Sequence, residues 1–184
     1  MSLDKDNITS HISADDGGEI INRVDQSDLF TFNLEDHYTE GERVEVDLKP
    51  WLFEGIILKE KDFRESLKNH DWSFYKDKFV ALLCSADAIV PTWAFMLAAT
   101  SLEPYARKIV TGGLNDLESE IYRSALSGIN PEDYRDRKII IKGCSNKKVP
   151  ESAYVEITRI LRPVARSIFY GEPCSTVPLY KKNN

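Results

Sequence analysis

Hydrophobic positions along this chain follow two periods, and the switches between them outline the fold. Arg43-Val-Glu-Val-Asp-Leu48 alternates strictly between polar and apolar, as an edge or half-exposed strand does. Leu29-Phe-Thr-Phe-Asn-Leu34 also alternates, after a short apolar segment that begins at Ile20. Trp51 to Leu58 is apolar enough to predict a buried connection or another strand. From Lys59 to Asn69 the chain reads as a polar helix, with Phe63 and Leu67 four residues apart on one face.

The rhythm is clearer further on. Phe79-Val-Ala-Leu-Leu-Cys84 is a continuous apolar run, typical of a strand covered on both faces. Pro91 to Leu102 predicts a mostly apolar helix, opened by a proline whose missing N–H costs nothing there. Lys108 to Thr111 is a short strand closed by Gly112-Gly113, and Leu114, Leu117, Ile121 and Ala125 mark one face of the next helix. Lys138 to Lys142 is a third strand, and Pro150 opens a helix that Pro163 ends. Ser167 to Tyr170 reads as the last strand. Strands alternating with helices over short connections predict βαβ units and a mostly parallel sheet, with the earlier segments adding edge or antiparallel strands. The expected fold is α/β: one three-layer α/β/α domain over residues 20–182, after a polar, acidic, disordered segment at 1–19.

Composition narrows the function classes. The 184 residues are 42% hydrophobic and 29% charged, enough for one covered core. No apolar run approaches membrane-spanning length and no charged-then-apolar leader opens the chain, so a cytoplasmic protein without a membrane partner is expected. The net charge is −6, and the basic clusters are short (Arg135/Arg137/Lys138, Lys147/Lys148, Lys181/Lys182), which argues against nucleic acid as a ligand.

The chemistry-bearing feature is the placement of three cysteines. Each is followed by serine and, a few residues on, by Val-Pro: Cys84-Ser-Ala-Asp-Ala-Ile-Val-Pro91, Cys144-Ser-Asn-Lys-Lys-Val-Pro150 and Cys174-Ser-Thr-Val-Pro178. The spacer shrinks while the flanks recur, so these are not units of a simple repeat. An odd number of cysteines in a chain without a leader points to reduced thiols. If the preceding strands lie parallel in one sheet, the thiols share its C-terminal edge, where open α/β sheets place their ligands.

Three readings stay open. One is a zinc or iron–sulfur site ligated by Cys84, Cys144 and Cys174, with Asp87 as fourth ligand and Ser85, Ser145 and Ser175 donating hydrogen bonds to sulfur. The absence of a Cys-x-x-Cys pair counts against it. A second is a cysteine-dependent persulfide or redox enzyme; His11, His37 and His70 flank no cysteine, so a hydrolase needing an adjacent base fits poorly. The third is an interaction module whose cysteines are small packed residues at strand ends, with Asp87 as a turn or cap residue.

Trp51-Leu-Phe-Glu-Gly, Cys84-Ser-Ala-Asp-Ala-Ile-Val-Pro-Thr-Trp-Ala and Tyr170-Gly-Glu-Pro-Cys-Ser-Thr-Val-Pro resemble the DUF2480 family of Bacteroidetes. The likeness runs from about Ile20 to Lys182, and the family has no established activity to transfer. It implies a bacterial cytoplasmic protein. Through the family's association with iron–sulfur assembly genes of the sulfur-mobilisation type, it also implies iron–sulfur assembly proteins as partners. With that resemblance the favoured expectation is a metal- or cluster-binding accessory protein, in cluster assembly or sulfur trafficking.

Overall fold

A computed structural model of the chain describes residues 29–143 and 146–183. The fold is α/β with mostly parallel strands, as the alternation predicts, but the strands divide between two sheets. The first has the order β2 (Arg43–Asp47), β3 (Phe79–Leu83), β4 (Lys108–Thr111), all parallel. The second has the order β1 (Leu29–Asn33), β5 (Lys138–Lys142), β6 (Ser167–Glu172), β7 (Ser175–Lys181). Its first three strands are parallel and β7 pairs antiparallel with β6. The two amino-terminal strands are edge strands, as expected. They run parallel to their neighbours, and the antiparallel member of the fold is the carboxy-terminal β7.

The segment from α1 (Glu60–Asn69) to β4 returns at a constant interval of 59 residues in the segment that ends with β6. Tyr75-x-Asp77 returns as Tyr134-x-Asp136, Val90-Pro91 as Val149-Pro150, and Pro104-x-Ala106-Arg107 as Pro163-x-Ala165-Arg166. Several of these identities coincide with equivalent backbone features. Asp77 and Asp136 both adopt positive φ (60° and 57°), a conformation that short polar residues tolerate. Their amides donate to Tyr105 O and Val164 O, the turns that end the two equivalent helices. Arg107 and Arg166 donate their amides to Lys78 O and Arg137 O, which fixes the entry of each unit's third strand. Asp71 and Asn130, also 59 apart, cap equivalent 3₁₀ turns through their side chains.

The repeat is interleaved, not tandem. The first unit runs continuously through β2, α1 (Glu60–Asn69), β3, α2 (Thr92–Leu102) and β4. The second takes β1 from ahead of it and α3 (Leu114–Leu126), β5, α4 (Glu151–Leu161) and β6 from after it. Helices α1 and α2 cover one face of the first sheet, where Phe63, Leu67, Ala94, Ala98 and Leu102 meet Val46, Val80 and Leu82. The other face, Phe79 and Ala81, is covered by Leu117 and Ile121 of α3. Tyr122 and Leu126 of α3 join Ala153, Ile157 and Leu161 of α4 over Phe32, Ile139 and Ile141 of the second sheet. Helix α3 therefore contributes to both cores.

The join between the units is made by Arg43 at the start of β2. Its guanidinium donates to both oxygens of Glu118 on α3, Nε–Oε2 3.0 Å and Nη2–Oε1 3.1 Å. It also donates to Thr39 O and Gly41 O in the β1–β2 connection and lies between the rings of Tyr38 and Phe79. Gly41 is required there: its φ is +148°, and a Cβ would meet Phe79 Cε2 at 2.6 Å. Both side chains of the pair are nearly buried (13% and 11% exposed), so removing one partner strands the other charge away from water. Glu118→Ala is expected to destabilise the chain by about 3–5 kcal/mol in urea denaturation, whereas Arg43→Met with Glu118→Leu costs much less.

Candidate functional site

The C-terminal edges of the two central strands carry equivalent strand-to-helix loops, one from Cys84 to Pro91 and one from Gly143 to Pro150. In each, a carboxylate near the end of the neighbouring edge strand accepts loop amides. Asp47, the last residue of β2, accepts from the Ser85 amide at 2.9 Å and the Ser85 hydroxyl at 2.5 Å. Glu35, two residues beyond β1, accepts from the amides of Asn146 (2.8 Å) and Lys147 (3.3 Å). Lys147 reaches on to Glu40 at 2.6 Å, tying the second loop to the β1–β2 connection.

The cysteines are not equivalent within this frame. Under the 59-residue register the counterpart of Cys84 is Gly143, one position before Cys144. Cys84 directly follows β3 in the first sheet, half-buried against the apolar cluster under α1 and α2. Cys174 sits in the other sheet, exposed in the two-residue turn Pro173-Cys174 between β6 and β7. Cys144 and Ser145 lie outside the described residues. Ser85 donates to Asp47, Asp87 is exposed in the first loop, and Ser175 is the exposed first residue of β7, paired with Glu172. Pro91 occupies the N-cap position of α2 that Asp87 was a candidate for. Among the described residues no three His, Cys, Asp or Glu side chains form a group able to hold a metal ion. No helix among them is long and apolar enough to cross a membrane.

What the structure does bring together is an apolar groove between α4 and the β6–β7 hairpin, with a volume of about 710 Å³. Tyr154, Val155 and Thr158 form its helical wall, and Ile141, Tyr170 and Leu179 form its floor and strand wall. Tyr154 and Tyr170 meet edge to face at 5.8 Å. The hairpin that makes the strand wall depends on Gly171, whose φ is +119° and where a Cβ would meet Ser175 O at 2.5 Å. Val155 is 69% exposed, and Leu179, Val177 and Tyr170 are each about half exposed (52%, 56% and 48%). Gly143 lets Tyr154 approach the base of the second loop; a Cβ there would lie 2.8 Å from its hydroxyl.

The outer edge of β7 is poorly suited to accept another strand. Pro178 removes a backbone donor, and the pairing with β6 slips between Ile168 and Phe169. Sequence patterning missed both β7 and the groove, because Cys174-Ser-Thr-Val-Pro178 reads as a turn-rich segment. The period of 59 residues was the available signal for α4 as the equivalent of α2.

The chain matches the family model described as protein of unknown function (DUF2480) over residues 18–182, and it belongs to that family. No curated protein and no solved structure matches it.

Burial alone raises the Asp47 carboxyl, but hydrogen bonds from the Ser85 hydroxyl and from the Lys49 and Ser85 amides outweigh it and hold it below its usual range. A carboxyl depressed on folding adds stability above its unfolded pKa and loses it as pH falls through the folded value. The first loop is therefore expected to loosen in acid, below the ordinary carboxylate range. The protection factor of the Ser85 amide should fall there, and Asp47→Ala should bring the same loss of protection at neutral pH at a cost of about 1 kcal/mol.

Proposed function

We propose that the protein is an interaction module that docks a protein partner in the groove between α4 and the β6–β7 hairpin. One observation carries this reading: Val155, Tyr170, Val177 and Leu179 are exposed together and held there by a helix and a paired hairpin. Apolar side chains scattered singly over a surface need no explanation, but a grouped set along a groove marks an interaction site. Because the β7 edge is blunted, the partner engages through side chains and not by adding a strand. Its contact segment presents two or three aliphatic or aromatic residues from a turn or a helix. On this reading Cys84 is a packing residue, since it lies against the first core.

Peptide selection on the immobilised full chain should enrich segments with closely spaced aliphatic residues. Their binding, followed by fluorescence anisotropy, should fall at least tenfold in Val155→Asp and in Leu179→Asp. Peptides whose binding survives both substitutions, or no enrichment at all, would remove this reading.

A second reading keeps sulfur chemistry at the second sheet. Lys142 and Glu172 form an ion pair at 3.4 Å across the ends of β5 and β6. Each stands two residues ahead of a cysteine, Cys144 and Cys174. The pair favours a two-thiol site for a soft metal, an iron–sulfur cluster or a persulfide in sulfur trafficking, with Cys84 outside it. Anaerobically purified protein should then hold metal or sulfide that Cys144→Ser and Cys174→Ser each abolish and Cys84→Ser leaves in place. Equal loss in all three variants, or none bound in the unmodified chain, would count against a two-thiol site.

A further inference from the structure

The amino-terminal edge of the second sheet is basic, on a chain whose net charge is −6. Backbone pairing sets Arg137, Arg166 and Lys182 in one row: the Arg166 amide donates to Arg137 O and the Lys182 amide to Arg166 O, each at 2.9 Å. Arg137 lies over the Phe30 ring, and Arg162, just past α4, over the Tyr180 ring. These four residues and Lys181 are all exposed. Only Lys182 among the five has a carboxylate partner within the described residues, Asp136 at 3.2 Å. Of the acids nearby, Glu132 is held by Arg135 and Asp133 accepts from Asn130. Cations grouped this closely repel one another unless an anion lies over them.

The first unit shows what satisfies such a row. In the 59-residue register Lys78 corresponds to Arg137 and Arg107 to Arg166. Leu29 pairs with Lys138 as Arg43 pairs with Phe79, so β1 is the counterpart of β2. Lys78 forms an ion pair at 3.0 Å with Glu42, the residue directly ahead of β2. Arg107 donates to Glu40 O, two residues earlier, at 2.9 Å. The chain entering the edge strand thus neutralises the row beside it. Directly ahead of β1 stands Asp28, the counterpart of Glu42, and Asp25, Glu19, Asp16 and Asp15 lie further upstream, with Arg23 the one cation of that stretch. Residues 1–28 lie outside the described residues.

We infer that the acidic segment Asp15–Asp28 docks across this basic edge of its own chain. Asp28 meets Arg137 as Glu42 meets Lys78, and the carboxylates upstream meet Arg166 and Arg162. The reach is sufficient: β7 stands about 14 Å from β1 across three strand spacings, and four extended residues already span about 13 Å. Tethering selects this occupant, because a segment joined to the edge competes with any free polyanion at an effective concentration on the order of millimolar. The contact is held by charge, so salt or a more acidic competitor lifts the segment and bares the cationic row.

Carbodiimide joins a carboxylate to an amine with no spacer, and mass spectrometry locates the link. In the full chain, Asp15, Asp16 and Glu19 should be joined to Lys181 and Lys182. The yield should fall at least fivefold between about 0.1 M and about 1 M salt, as the screening length drops from about 10 Å to about 3 Å. Arg137→Glu with Arg166→Glu should bring the same fall at low salt while leaving both reactive lysines in place. Both arginines are exposed, so the fold is expected to survive, which circular dichroism checks. Adding Asp25→Lys and Asp28→Lys to that variant should restore the yield. Asp25→Asn with Asp28→Asn, made ahead of the described fold, should lower it in the otherwise unmodified chain. A mixture of isotopically labelled and unlabelled protein should give links within one copy. Links that are absent at low salt, indifferent to salt and to charge reversal, or formed mainly between differently labelled copies would each overturn the inference.

Discussion

Arg43 is held by five groups: Glu118, two carbonyls of the β1–β2 connection and two aromatic rings. Few arrangements of the surrounding elements satisfy all of them. The pair sets α3 on the back of the first sheet, and the same helix turns Tyr122 and Leu126 into the second core. An ion pair this secluded is a poor source of net stability compared with packed apolar side chains. Its value lies in specificity: it admits one register between β2, α3 and the β1–β2 connection. The groove depends on that register, because α4 stands over the second sheet beside α3.

The internal duplication changes how the loops at the sheet edges should be read. Both loops are tied down by a carboxylate near the adjacent edge strand, Asp47 in one case and Glu35 in the other. That shared architecture explains Val-Pro before each helix, since Pro91 and Pro150 are equivalent N-cap residues. It does not explain the cysteines, which fall at different addresses in the two units. The recurrence of Cys-Ser ahead of Val-Pro thus combines a real structural repeat with thiols that do not share it. The two units differ at their outer surfaces: the Phe53–Ile57 turn belongs to the first alone, and β7 to the second alone.

Much of the fold was legible in the letters. The apolar runs Phe79–Leu83 and Ile139–Ile141 are strands buried on both faces, and the prolines at 91 and 150 mark helix starts. The division into two sheets was not legible. A β4–α3–β5 passage looks the same in sequence whether the second strand joins the first strand's sheet or another, and only long-range partners decide. Trp51 to Leu58 misled for a related reason: apolar content reads as burial, yet Phe53, Ile56 and Ile57 face solvent. The groove was hidden because Val155 and Leu179 look like ordinary helix and strand residues until α4 and β7 are set side by side. The 59-residue interval was visible throughout, but the uneven cysteine spacers drew attention away from it.

Interleaving imposes an order on assembly. The first unit is continuous, so its strands and helices can meet as soon as they leave the ribosome. The second needs β1 and β5, which pair Leu29 with Lys138 across the whole of the first unit. Closing so long a loop is slow unless the ends are already held near one another. A folded first unit does that holding, since it draws in β2, just past the end of β1, and leads through β4 into α3. The amino-terminal half thus offers a template on which the groove-bearing half can be completed, and β1 has no strand partner until β5 is made.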